Sequence, residues 1–197
     1  MKELKFIHIT KTAGTTIEND GKSIGIDWGR FHTEYGWWHK VANRIDQDVL
    51  DKYDWFIVVR NPYDRVISEV HCFWNHGFSR NPMEKSKKNY NEFIKKTMEY
   101  MLSNGATQYG NPEGDHWDRQ HMYYTKGCNI VRFENLVEDF SKLMSKYNIA
   151  LEIQTHVNMG GNRDYFDVSD ITDSNILLIN EVYHKDFEMF NYEKILI

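Results

Sequence analysis

The chain has 197 residues, of which 41% are hydrophobic and 27% charged, with a net charge of -5. A length of this order fits one domain and buries roughly 70% of the surface its unfolded form exposes, so no staple is needed for folding. The negative balance argues against general nucleic-acid binding, two cysteines (Cys72 and Cys128) are too few for a disulfide framework, and no apolar run is long enough to span a membrane.

The first predicted element is Lys5 to Thr10, a short apolar run rich in β-branched residues that ends in a small-residue turn. Thr15 to about Asp20 reads as a short helix, and Trp38 to Ile45 as another, with Val41, Ile45 and Val49 at helical spacing. Asp54 to Arg60 is a near-continuous apolar run, the pattern of a strand covered on both faces. Asn61-Pro62 breaks it, and Tyr63 to Trp74 follows with helical periodicity, Pro62 suiting the first turn. Arg80 to Asn89 is a polar, lysine-rich loop, Asn91 to Leu102 a helix ending near Gly105, and Ala106 to Gly114 a loop. Asn129 to Phe133 is a strand and Glu134 to Tyr147 a helix; Met159 to Asn162 is a turn, and Thr172 to Phe187 closes the chain as a helix capped by Thr172 or Asp173. Clustered aromatics (Trp28, Phe31, Tyr35, Trp37, Trp38, then Tyr53, Trp55, Phe56) read as core, with one or two available as a ring platform for a base or sugar.

Strands alternating with helices predict a single α/β domain over residues 1–197 with a central, mostly parallel sheet. Ligands of such sheets bind beyond the carboxyl ends of the strands. Two motifs fall there. The first is Phe6-Ile7-His8-Ile9-Thr10-Lys11-Thr12-Ala13-Gly14-Thr15-Thr16. A strand runs into a tight turn and a helix starts, so backbone N–H groups and the helix dipole favour an anion. Gly14 allows close approach, Lys11 adds a positive charge, and Thr15 and Thr16 add hydroxyls. This is not the GxxxxGK[ST] phosphate loop, because the lysine precedes the glycine. An ordinary strand-turn-helix with a solvated lysine is the plainer reading of the segment taken alone.

The second motif is Phe56-Ile57-Val58-Val59-Arg60-Asn61-Pro62-Tyr63-Asp64-Arg65-Val66-Ile67-Ser68. Arg60 ends a buried strand and Ser68 lies two turns along the next helix. Arginine there grips a phosphate in bidentate fashion, and serine adds a hydrogen bond. Separately, Arg60 also reads as a salt-bridge partner and Ser68 as a helix-packing residue.

Lys-Thr-x-Gly-Thr-Thr after a first strand, followed by Val-Arg-Asn-Pro-x-x-Arg-x-x-Ser, resembles the two cofactor signatures of sulfotransferases that use 3'-phosphoadenosine 5'-phosphosulfate (PAPS). The nearest likeness is to the branch of heparan sulfate 2-O-sulfotransferases and related carbohydrate sulfotransferases. It continues in Val131-Arg132-Phe133-Glu134-Asn135-Leu136 with Asp139-Phe140, and in Asp186-Phe187-Glu188-Met189-Phe190-Asn191-Tyr192. The resemblance implies a P-loop-like three-layer fold. It implies that Lys11, Thr12, Ala13, Gly14, Thr15 and Thr16 hold the 5'-phosphosulfate, with Lys11 also stabilising the leaving oxygen. It implies that Arg60 and Ser68 bind the 3'-phosphate and, more loosely, that Arg163 in the Met159–Arg163 loop is a second grip on it.

Sulfonate transfer needs an in-line acceptor oxygen, a positive group at the leaving phosphate and a base. The base candidates lie between the two motifs: His39, which matches the position of the histidine base in the resembling branch, then His32, then Glu34, since other branches use glutamate. Histidine titrates near neutrality, and a positioned base is worth about 10²–10⁴-fold. Each histidine also reads as a packing residue. His8, on the first strand, reads as structural or cofactor-adjacent; His116 and His121, flanking Trp117 and Gln120, read as helix-face residues or as lining of the acceptor site. The nine histidines show no ligand spacing of the HExxH or Cys/His type, so no metal is expected.

The acceptor is expected to be a hydroxyl compound, a glycan or small molecule, with no nucleic-acid or membrane partner. Arg80 to Lys88 is the one basic stretch; it reads as a solvated loop or as a guide for an anionic glycan. The expected location is cytoplasmic, unless this is the catalytic part of a longer anchored enzyme. Two other classes stay open: a nucleotide or small-molecule kinase with a degenerate P-loop, and a binding module without turnover.

Overall fold

The computed structural model describes residues 2–34, 39–72, 86–105, 116–153 and 165–197. They fall into two compact units, each with its own core. The first holds residues 2–60 and 120–153, the second 61–72, 86–105, 116–119 and 165–197. The chain leaves the first unit after Arg60 and re-enters it at Gln120, so the units are not successive segments.

The first unit carries a small parallel sheet. β1 (Leu4–Phe6), β2 (Asp54–Val59) and β3 (Asn129–Arg132) lie in the order β1-β2-β3. Phe6 pairs with Phe56 and Val58 with Val131, so these side chains share one face of the pleat. Onto that face pack α1 (Gly14–Ser23), through Ile17, and α5 (Leu136–Lys146), through Leu136, Phe140, Leu143 and Met144. Phe56 stacks on Phe6 at 4.7 Å and meets Trp28 edge-on at 5.2 Å. Each ring buried in this way contributes roughly 1.5–3 kcal/mol. Trp55, Ile57 and Val59 on the opposite side are also buried, as the apolar run predicts for a strand covered on both faces.

The second unit is helical. α3 (Pro62–Val70) starts at Asn61, whose side chain accepts from the Tyr63 N–H, with Pro62 at the first position. α4 (Lys87–Asn104) is capped by Ser86 and stopped by Gly105 at φ 70°, and it buries the stripe Tyr90, Ile94, Met98 and Met101. α6 (Asp173–Val182) and α7 (His184–Met189) complete the core with Ile176, Ile179, Val182 and Phe187.

Several boundaries differ from the sequence reading. β1 ends at Phe6 rather than Thr10; one further ladder bond, Ile7 N–H to the Phe56 carbonyl at 3.0 Å, precedes the turn. No helix spans the described part of Trp38–Ile45: Ala42–Arg44 form a 3-10 turn, Val41 and Ile45 have extended backbones, and the α-helix comes later, as α2 (Gln47–Lys52). Val41 and Ile45 are buried all the same, so their spacing reflects burial rather than helix. α3 stops at Val70, and Lys87–Asn89, placed in a loop from composition, open α4 behind the Ser86 cap. The closing helix is two, broken at Tyr183, whose buried hydroxyl donates to the Trp117 carbonyl at 2.9 Å. Arg80 to Lys85 and the Met159–Arg163 loop, Arg163 included, lie outside the described residues. No helix among the described residues is long and apolar enough to cross a membrane.

Candidate functional site

The first unit assembles its polar groups at the carboxyl end of β1 and β2. After β1 the backbone turns through Lys11 and Ala13, which have φ of 60° and 68°. Left-handed φ costs a non-glycine residue about 1–2 kcal/mol. Ala13 is the N-cap of α1 and offers no capping side chain. The first helical bonds run from the Thr16 and Ile17 N–H groups to the Ala13 carbonyl at 3.0 and 3.2 Å. The N–H groups of Gly14 and Thr15 therefore end the helix pointing at the turn, where the dipole is positive. Lys11 is half-buried beside them, Thr16 half-buried and Thr15 exposed. Thr12 is different: it is fully buried and its hydroxyl donates to the Ile9 carbonyl at 2.8 Å, which fastens the turn.

Arg60 brings the second motif to the same turn. One guanidinium nitrogen donates to the Lys11 carbonyl at 3.2 Å, and the group lies 4.3 Å from the centre of the Phe133 ring. Its backbone is clamped by Gln120: the Arg60 N–H donates to Oε1 and the Gln120 Nε2 donates to the Arg60 carbonyl, both at 2.8 Å. Gln120 is fully buried, so these bonds are shielded from water. Ser68 is buried on α3 of the second unit.

Beneath the turn sits a buried acid–base pair. His8 Nδ1 lies 2.9 Å from Glu18 Oε1, and Glu18, on α1, is fully buried. Glu18 also accepts from the Arg30 N–H at 2.9 Å and faces the Arg30 Nε at 3.5 Å. Two glycines make room. A Cβ on Gly14 would stand 2.0 Å from His8 Cδ2 and 2.1 Å from its Nε2, and one on Gly29 would stand 2.0 Å from Glu18 Oε1. The carboxylate accepts from Nδ1, so His8 presents Nε2 toward the start of α1. His39 meets His8 edge-on at 4.5 Å between ring centres, and its Nδ1 lies 3.3 Å from the His8 carbonyl. A carbonyl only accepts, so Nδ1 carries the proton and Nε2 of a neutral His39 carries the lone pair.

The other two base candidates have different surroundings. His32 is buried and meets the Tyr53 ring edge-on at 5.4 Å; burial, then the Lys5 charge, lower its pKa. Glu34 is exposed and paired with Lys52 at 2.7 Å, a hydrogen bond that lowers its carboxyl pKa.

Sequence reasoning overlooked Glu18 and Gln120. Neither belongs to a motif. The one local sign is that Glu18 follows buried Ile17 and precedes buried Gly21, an odd place for a solvated carboxylate.

Comparison with known proteins gives the family of the chain. Residues 2–193 match the sulfotransferase family, and the chain belongs to it. An uncharacterised protein of Archaeoglobus fulgidus is 26% identical over 129 residues, covering 64% of this chain and 92% of its own length. No solved structure gives a significant match.

Proposed function

We propose that this member of the sulfotransferase family uses PAPS as donor and transfers its sulfonate to a hydroxyl acceptor, with a carbohydrate as the acceptor class that the motif resemblance favours. The observation that carries the reading is the turn itself: an α-helix N-terminus without a capping side chain, flanked by Lys11 and with Arg60 drawn onto its backbone. A stretch built to fold and nothing more would relax the left-handed Lys11 and Ala13.

The donor supplies a sulfonate already activated by its bond to phosphate. The acceptor oxygen bonds to sulfur as the bridging S–O bond breaks, and the acceptor proton passes to a base. This chain's residues do the rest by position and charge. The Gly14 and Thr15 N–H groups and the Thr16 hydroxyl hold the 5'-phosphosulfate, and Lys11 balances charge on the departing oxygen. Arg60 is the cation for the 3'-phosphate, a planar fork whose backbone is clamped by Gln120. Ser68 is the other residue the motif assigns to that phosphate, and Arg163 is the one the resemblance adds more loosely. His39 is the base, using Nε2; the His8–Glu18 pair holds the strand end and ring against which His39 rests.

The test is a pair of ligands. Adenosine 3',5'-bisphosphate should raise the melting temperature, since it binds the native state and not the unfolded chain, and ATP with Mg²⁺ should do far less. Lys11→Ala should abolish transfer of labelled sulfonate from PAPS. The opposite ligand ranking would replace this reading with a kinase, and tight bisphosphate binding without transfer to any hydroxyl would replace it with a binding module.

A further inference from the structure

The second unit contains a cluster of side chains that nothing in sulfonate transfer uses. Glu69 sits in the last turn of α3 and Cys72 just beyond its end, three residues on, where a helical turn brings them to one side. His116 comes from a separate segment, held in place where Arg65 donates to its carbonyl at 2.7 Å. Its Nδ1 lies 2.8 Å from Glu69 Oε2 and 3.8 Å from Cys72 Sγ. One carboxylate oxygen, one sulfur and one ring nitrogen thus converge, all within 4.8 Å of one another.

A single Nδ1 is shared between the Glu69 carboxylate and the Cys72 sulfur. A cation at the centre would serve all three donors at once. Around one zinc, with bonds of about 2.0–2.3 Å, tetrahedral ligand atoms stand about 3.3–3.8 Å apart. The His116–Glu69 and His116–Cys72 distances of 2.8 and 3.8 Å bracket that spacing, and with all three atoms within 4.8 Å the side chains need to shift by no more than about 1 Å to share one ion. The surroundings suit an ion held by protein. The Glu69 side chain is 1% exposed and that of His116 21%, while Cys72 is 5% exposed overall, so the cluster is enclosed on the helix side and open at the histidine.

We propose that Glu69, Cys72 and His116 form a site for one divalent transition-metal ion of the zinc class. A thiolate and a carboxylate cancel a double positive charge, and the S, N, O donor set selects a borderline ion over Mg²⁺ or Ca²⁺, which require oxygen ligands. The three protein ligands leave a fourth position for water. The ion would tie the end of α3 to the segment leading into buried Trp117, adding a cross-link beside the apolar core of that unit. The site owes nothing to the identity of the sulfonate donor or acceptor, and it stands or falls apart from them.

The test uses the full-length chain without an affinity tag, stripped with a chelator and titrated with Co²⁺. The expected result is a thiolate-to-cobalt charge-transfer band with four-coordinate d–d bands, saturating at one ion per chain and bleached by Zn²⁺. Cys72→Ser should lose the charge-transfer band and weaken binding by at least about tenfold, while Cys128→Ser keeps both. His116→Gln should weaken binding without removing the sulfur signature. A wild-type chain that shows no charge-transfer band at stoichiometric Co²⁺ overturns the proposal without recourse to any variant. So does a band that survives Cys72→Ser or disappears in Cys128→Ser.

Discussion

Gly14 offers the sharpest test of the buried pair beneath the turn. Its φ does not lie in the left-handed region, so alanine fits the backbone, and as the first residue of α1 alanine would even gain up to about 1 kcal/mol in helix propensity. The obstacle is space. The added Cβ would stand 2.0 Å from His8 Cδ2, so reaching ordinary contact near 3.4 Å requires the ring to move by about 1.4 Å. His8 is 5% exposed, joined to Glu18 at 2.9 Å and pressed by His39, so it has little freedom to do so. Overpacking costs about 1–3 kcal/mol, and loosening the bond to a buried carboxylate adds about 1–3 kcal/mol more. After the propensity gain, Gly14→Ala should lose about 1–5 kcal/mol. The decisive measurement is a cycle with His8→Ala in urea denaturation. With the ring gone the clash is gone, and Gly14→Ala should then be neutral or stabilising, giving a coupling of at least about 1.5 kcal/mol. Costs that add to within about 0.5 kcal/mol would refute the claim that Gly14 exists to make room for His8.

Three further outcomes are expected. His39→Ala should lower kcat for sulfonate transfer by about 10²-fold or more with bisphosphate affinity nearly unchanged, whereas Glu34→Gln, whose partner is Lys52 at the surface, should transfer at the parental rate; the reverse pattern in steady-state kinetics would move the base to Glu34. His32 is buried with a pKa lowered from 6.5 by burial and by Lys5, so its neutral form favours the fold: that stability is fully present above pH 6.5 and is lost as the pH falls toward the lower folded value. His32→Phe should therefore flatten the decline in denaturation free energy below pH 6.5, and an unchanged slope would remove His32 as its source. Because the chain leaves the first unit at Arg60 and returns to it at Gln120, the units are expected to unfold together; far-UV circular dichroism and tryptophan fluorescence should report one coincident transition, and two separated midpoints would make them independent domains.

The parts legible in the sequence are those set by neighbours along the chain. Asp54–Val59 is recognisable because an unbroken apolar run ends at Asn61-Pro62, and the Lys11–Gly14 turn because small residues follow a strand. Features that depend on distant residues escape. Glu18 looks like any helix glutamate until His8, Arg30 and Gly29 close around it, and Gln120 becomes a clamp only when β2 brings Arg60 beside it from 60 residues away. The break at Tyr183 carries no glycine or proline to announce it; a buried hydroxyl bond to Trp117 accompanies it. Val41, Ile45 and Val49 mislead for a different reason. Four-residue spacing of buried side chains also arises where extended backbone folds against a core, and a span this short does not separate the two.

The residues that the proposed function turns toward the donor and those that support them contribute to stability with opposite sign. Lys11 and Ala13 in left-handed conformations cost about 1–2 kcal/mol each, and an N-terminus without a side-chain cap forgoes about 1 kcal/mol that serine or aspartate would supply at Ala13. Behind them the supports are hydrogen-bonded: Thr12 fastens the turn, Gln120 grips Arg60 by both backbone groups, and Glu18 takes the His8 ring and the Arg30 N–H. In the proposed function this strain lies on groups that an anion would complete, since a phosphate or sulfate at the Gly14 and Thr15 N–H groups would supply the missing cap. Binding energy spent there is not spent on ordering the loop, because the supports have ordered it beforehand. Under the same proposal a lysine rather than a glycine stands at φ 60° because glycine would relax the turn but give up the charge assigned to the leaving oxygen and the stiffness that aims it.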